Sequence, residues 1–392
     1  MDPFAPRTRG ITEPDPIRLD LRRRGPVVEA PAPPGGPVWI VTEETLARQV
    51  LTDPRIVKDP AYAPPEWDVR RAGLEATAAE QPSLTTYDGP AHTALRKAHT
   101  PLLTAKRIQQ QRSRVRELAT EQLQALATAS TTAVGVPATA EPPAALGAMP
   151  PTPGAVPPAA VDLMADFATR FPLTVVCDLL GVPAHETDRA MVACRQMLTG
   201  DQGEAIATLR AVAATASRDA LAGELYEQVP DGITDEDVHY LLFALIFAGQ
   251  LTTDASVGFV LANGLNEPGS SGSDLVDRVL RQHPPAPFTL WRFTTTPLEL
   301  AGVQLPANAP VLVDIEGINT RPGRPEGPDL SFGAGAHYCI GAQLAHLELT
   351  VVLDVLRTNH PNARLAIPFE QLRQFTPGGN TGNRLASLPI LF

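Results

Sequence analysis

Apolar and polar positions along the chain recur mostly with a helical period. Residues 105 to 126, "AKRIQQQRSRVRELATEQLQAL", set apolar side chains on one face and charge on the other, which predicts an amphipathic helix. Residues 161 to 183, "VDLMADFATRFPLTVVCDLLGVP", return to the same pattern. From 235 to 265 the middle is apolar all round and the ends are polar, which predicts a long helix buried in a large core. Strand patterns are few and short. Val38, Ile40 and Val41 predict a strand, and "EETLARQVL" after them predicts a helix. "LELAGVQL" (298 to 305) and "PVLVDIEG" (310 to 317) predict further short strands. Residues 131 to 160 have no apolar period and are rich in Pro, Ala and Gly, which predicts a disordered or extended inserted loop. There is no internal repeat and no domain boundary, so residues 1 to 392 read as a single domain, mainly α with a small β region.

Composition narrows the function classes. A chain of 392 residues can bury one large core or two modest ones. The net charge of −11 argues against nucleic-acid binding, which wants a basic face. No apolar run approaches the roughly 20 residues of a membrane span, and the start lacks the apolar core of a signal peptide. Three cysteines do not make a disulfide framework, which points to a reducing cytoplasm.

One of the three lies in "SFGAGAHYCIGAQLAHLEL" (331 to 349), between a glycine-rich loop and a helical pattern. Cys339 is thus at or near a helix N-terminus, where free N–H groups and the helix dipole favour thiolate. A thiolate there can be a nucleophile, with His337 as base, or a metal ligand. Zinc wants further Cys or His at ligand spacing, and none is present. Haem iron needs one thiolate from the protein. A buried structural cysteine is the plain alternative, and it is the reading for Cys177 and Cys194 on apolar helical faces.

Phe332-Gly333-x-Gly335-x-His337-x-Cys339-x-Gly341, followed by Leu344-Ala345, resembles the haem-thiolate signature of the cytochrome P450 family. The likeness continues in family order along the chain, through "LTDPRIVKD", "YDGPAHTALRK", "DFATRFPLTVVCDLLGVP", "AGQLTT" and "NRLASLPILF". Soluble bacterial members look most similar. The resemblance implies one mainly helical domain enclosing haem b, with Cys339 as the iron ligand. It implies that His92, Arg96, Arg292 and His337 hold the two propionates, with Phe332 and Gly341 shaping the cofactor loop. On the oxygen side it implies that Gly249, after Ala248, lets dioxygen and substrate approach, and that Thr252 helps deliver protons. The implied activity is monooxygenation of an apolar small molecule, with ferredoxin and ferredoxin reductase as electron donors, by a monomer that binds neither nucleic acid nor membrane. Family position sets pocket segments at 64 to 84, 243 to 252, 286 to 291 and 379 to 383.

Three departures stand out. Leu251 occupies the usual acid position beside Thr252 and cannot relay protons. Arg278 occupies the Glu position of Glu-x-x-Arg, whose Arg is Arg281, and like charges three residues apart repel. Asp274 with Arg278 and Asp277 with Arg281 are candidate replacements, with Glu326 as another partner for Arg278. Residues 318 to 333 are shorter than the family's meander, leaving Arg321 and Arg324 as candidates for its locking Arg. These losses keep open a second function, a catalytically impaired P450-like haem-binding regulatory or partner protein. Retention of Cys339 and every propionate partner favours the enzyme.

Overall fold

The computed structural model describes residues 1–68, 71, 72, 80–133, 157, 159–199, 202–324 and 327–392. Its axis is the helix Asp235–Asn266. Thr234 and Asp237 start it with a reciprocal cap: the Asp237 N–H donates to the Thr234 hydroxyl at 3.2 Å and the Thr234 N–H donates to the Asp237 carboxylate at 2.8 Å. Nearly every side chain from Thr253 to Gly264 is buried. Helices Arg170–Leu180, Gln202–Ala213, Gly272–Gln282 and Ala342–Asn359 pack around it. By length and composition this helix does suffice to cross a membrane, contrary to the reading that no run comes close, but 61% of its most apolar window is buried against the rest of the chain. All-round apolarity here reflects neighbours on every side.

The β region is small and carries the site's edges. A five-stranded sheet runs in the order Val27–Pro31, Pro37–Val41, Pro310–Val313, Arg292–Thr294, Ile56–Val57. Its last pair is antiparallel, with Val57 opposite Phe293. Of three smaller sheets, one brings the chain ends together by pairing Arg7–Gly10 with Arg373–Thr376.

Several expected elements differ in extent. The helix expected over 105 to 126 is two, Ala105–Gln110 and Arg112–Ala133. The stretch from 161 opens with a two-residue strand and a π-helical turn before Arg170–Leu180, which ends at Gly181 in the left-handed region. "PVLVDIEG" is strand only to Val313; Asp314 then accepts the Gly317 N–H at 3.0 Å and caps a short helix, Ile315–Asn319. Of the stretch 131 to 160, the helix runs on to Ala133, and residues 134 to 156 and 158 lie outside the described residues.

Candidate functional site

The cysteine loop is built from backbone constraints. Gly333 and Gly335 have φ of 73° and 72°, a region that costs an L side chain about 1–2 kcal/mol. The Cys339 N–H donates to the Phe332 carbonyl at 2.9 Å, closing the loop. The Phe332 ring sits 5.2 Å from the His346 ring and 6.3 Å from Tyr338. Gly341 is the N-cap of Ala342–Asn359, and a Cβ there would lie 3.9 Å from the Cys339 sulfur.

Cys339 is crowded by protein yet keeps exposed surface. The crowding raises its thiol pKa, against the N–H groups of Gly341 and Ala342 and the charge of Arg96, which lower it. The helix N-terminus therefore acts in the expected direction but does not by itself give a thiolate. Binding a metal cation would, since coordination deprotonates a thiol outright. Cys177 and Cys194 are buried, with thiols pushed up to about 12 by burial, which suits structural residues.

Four cationic or imidazole residues named from the sequence gather beside the loop. His92 and Arg96 share a face of the helix Gly89–His99, and the His92 and His337 rings are 4.0 Å apart. Arg292, on its strand, is 4% exposed. Burial lowers His92 to about 4 and Arg292 to about 10. Two residues that the sequence reading did not single out complete the cluster. Asp88 accepts His337 Nε2 at 3.0 Å and the backbone N–H groups of Lys58 and Asp59 at 2.6 and 3.2 Å. Burial opposes ionisation of Asp88, but these bonds hold it below the ordinary carboxylate range. Lys58 is 8% exposed. The signal for Asp88 was its N-cap position, although its side chain reaches across the fold rather than capping its own helix.

These residues fit a haem. His92 Nε2, His337 Nδ1 and Arg292 Nε are buried without hydrogen-bond partners among the described residues. Buried cations and donors in that state require anionic acceptors, and propionates are such acceptors. A single cysteine in a glycine loop beside them is the donor set of haem iron.

The oxygen-side residues lie on the less buried face of the central helix. The Thr252 hydroxyl donates to the Ala248 carbonyl at 2.9 Å, one turn back. A Cβ on Gly249 would point at Val176, 3.5 Å away, rather than into open space. Leu251 is half-buried, and the nearest carboxyl along the helix, Asp254, is turned about 200° from Thr252. Asp254 is 2% exposed, accepts from Gln250 at 3.0 Å and Thr169 at 3.3 Å, and lies 3.6 Å from Arg384.

The charged residues behind the loop form pairs other than the expected ones. Arg278 pairs with Glu267 at 2.5 Å, and Asp277 with His346 at 3.4 Å; neither Asp274–Arg278 nor Asp277–Arg281 forms. Glu326 lies outside the described residues. Arg324 pairs with Glu44 at 2.9 Å and donates to the Pro328 carbonyl. Ser331 links these segments: its hydroxyl donates to the Leu280 carbonyl at 3.0 Å and accepts from Asn319 at 3.0 Å. The Asn319 side-chain oxygen accepts the Leu330 N–H at 3.0 Å. A neutral network thus ties helix Gly272–Gln282 to the start of the cysteine loop.

Comparison with known proteins agrees with this geometry. The family model for Cytochrome P450 matches residues 275–357. The chain is 37% identical over 435 aligned positions to Cytochrome P-450 monooxygenase DoxA of Streptomyces sp. (strain C5), covering 100% of this chain and 97% of that protein. It is 28% identical to Vitamin D(3) 25-hydroxylase of Pseudonocardia autotrophica, over 92% of this chain and 89% of that one. Among solved structures, CYP154C4 from Streptomyces sp. W2061 superposes with a TM-score of 0.79 at 26% identity, covering 99% of this chain and 96% of that one.

Proposed function

The chain belongs to the cytochrome P450 family and is a haem b monooxygenase, and we propose from that premise that it inserts an oxygen atom into an apolar, ring-bearing small molecule of secondary metabolism, using electrons from a ferredoxin and its reductase in the cytoplasm. The observation that carries the site assignment is the meeting of Cys339, in its glycine loop, with a buried cluster in which His92 Nε2, His337 Nδ1 and Arg292 Nε have no hydrogen-bond partner among the described residues. The likeness to a protein named Vitamin D(3) 25-hydroxylase supports the substrate class. So does the half-buried Phe247, which lies within the expected pocket segment 243 to 252.

Haem ligated by a thiolate supplies the activation of dioxygen and the push for O–O cleavage. The chain's own residues do the rest. Cys339 would hold the iron as thiolate, and the Gly341 and Ala342 N–H groups would stabilise the sulfur charge. Phe332 and Gly341 hold the sulfur's position through the closed loop. Arg96, Arg292, His92 and His337 would hold the propionates, and Asp88 fixes the His337 ring by its bond to Nε2. Thr252 would be the hydroxyl that passes protons, with Ala248 as its resting acceptor and Gly249 nearby on the helix. With Leu251 apolar, water must bring those protons to Thr252.

The test is turnover of the purified holoenzyme with a ferredoxin, its reductase and NAD(P)H under 18O-labelled dioxygen, against a panel of polycyclic and macrocyclic apolar compounds. One labelled oxygen atom in a hydroxylated or epoxidised product is the expected result. Spectral binding of these compounds with no labelled product from any of them would overturn the reading.

A further inference from the structure

Lys58 has no role in any assignment made so far, yet its surroundings are unusual for a lysine. The residue is 8% exposed, and its ammonium makes no hydrogen bond or ion pair within 4 Å to a described residue. Lysines are almost never buried unless paired. Its backbone position is fixed twice. The strand Ile56–Val57 pairs antiparallel with Arg292–Thr294, Val57 opposite Phe293, so the register carried one residue further sets Lys58 opposite Arg292. The Lys58 N–H then donates to Asp88 at 2.6 Å. Two like charges directly across an antiparallel pair repel, and burial together with Arg292 lowers the Lys58 pKa to about 7. Nothing in the protein alone repays placing this ammonium here.

We infer that Lys58 is a further haem-binding residue, whose ammonium holds a propionate together with Arg292. The inference rests on the haem assignment above and deepens it. Position supports it: Lys58 stands opposite Arg292, already assigned to a propionate, and its backbone is tied to Asp88 beside His337. The groups that face Lys58 from each packed element are Asp88 and His92 on the helix side, Arg292 on the strand and His337 on the cysteine loop. Of these only Asp88 is anionic, and it is already engaged by His337 and two backbone donors. A propionate supplies the missing counter-charge and raises the Lys58 pKa in the haem-bound state. Haem binding therefore takes up a proton above pH 7, and affinity falls by up to tenfold per pH unit as the free protein loses the Lys58 proton.

The experiment measures haem transfer from the full-length holoenzyme to a haem-scavenging protein, with the reduction potential, for wild type, Lys58→Met, Lys58→Gln and Lys58→Arg. Both neutral variants should lose haem about 10- to 100-fold faster, the range for one hydrogen bond to a charged group. Their potentials should fall, because a positive charge near the iron is gone. Lys58→Arg should stay within a few-fold of wild type and lose the pH dependence above 7. Haem loss within twofold of wild type in both neutral variants would overturn the inference, as would Lys58→Arg behaving like Lys58→Met. The wild-type carbon monoxide spectrum is recorded alongside: if it lacks a thiolate Soret band, the haem assignment itself has failed, a result distinct from either of these.

Discussion

Gly335→Ala is a sharp test of how the cysteine loop is held. A Cβ at this position would lie 2.6 Å from the Leu51 carbonyl oxygen and 3.1 Å from Thr52 Cγ2, on the helix Glu44–Thr52. The nearest atom is backbone, so relief requires the loop and that helix to move apart. The left-handed φ of 72° adds about 1–2 kcal/mol for any L side chain. Overpacking against a fixed backbone adds about 1–3 kcal/mol. Gly333→Ala is the matched control. Its φ is 73°, but a Cβ there meets nothing nearer than the His337 carbonyl at 3.9 Å, so it should cost only the conformational part. Urea unfolding of the two variants should therefore differ by about 1–3 kcal/mol, with Gly335→Ala the less stable. Displacing the loop also shifts the Cys339 sulfur, so Gly335→Ala should lose haem faster than Gly333→Ala. Equal stability of the two variants would show that the loop does not bear on the helix Glu44–Thr52.

Arg278→Glu should destabilise the protein by about 1 kcal/mol, because it sets a carboxylate against Glu267 on a pair that is about one-third exposed; a raised melting temperature would refute the pairing. Thr252→Ala should lower product per electron consumed and raise hydrogen peroxide release, while product yield equal to wild type would show that protons arrive without this hydroxyl. His283, whose Nδ1 is buried and whose ring stacks on Phe259 at 4.1 Å, is lowered to about 3 by burial and by Arg9. Its folded pKa lies below its unfolded value near 6.5, so its contribution is complete above pH 6.5 and is lost as pH falls toward 3, at up to about 1.4 kcal/mol per pH unit. His283→Phe should flatten the fall in unfolding free energy between pH 6.5 and 4.5, and an unchanged slope would show that His283 does not cause it.

What the sequence revealed was local. The cysteine loop was legible because glycines with positive φ, a histidine and a cysteine all fall within nine residues, and backbone constraints tie them to one geometry. His92 and Arg96 were legible because helical spacing puts them on one face. What was hidden was long-range. Nothing in the local sequence marks Lys58; the strand register sets it opposite Arg292. The partner of Arg278 is Glu267, beyond the helix start, so the spacings within the helix misled. Glu316 gathers Arg9 at 2.7 Å, Arg18 at 3.2 Å and Asn383 at 3.1 Å, joining chain segments some 300 residues apart that no spacing rule connects. The strand expected over 310 to 317 ended early because Asp314 is a better helix cap than strand residue.

The central claim is that Cys339 ligates haem iron as a thiolate. The most direct measurement is the carbon monoxide difference spectrum of the reduced protein, for wild type and for Cys339→Ala. Wild type should show the Soret band of a thiolate complex. Cys339→Ala should lack it, since the other two cysteines are buried with thiols pushed up to about 12. A thiolate band that survives in Cys339→Ala, or wild-type protein that binds haem without one, would contradict the account.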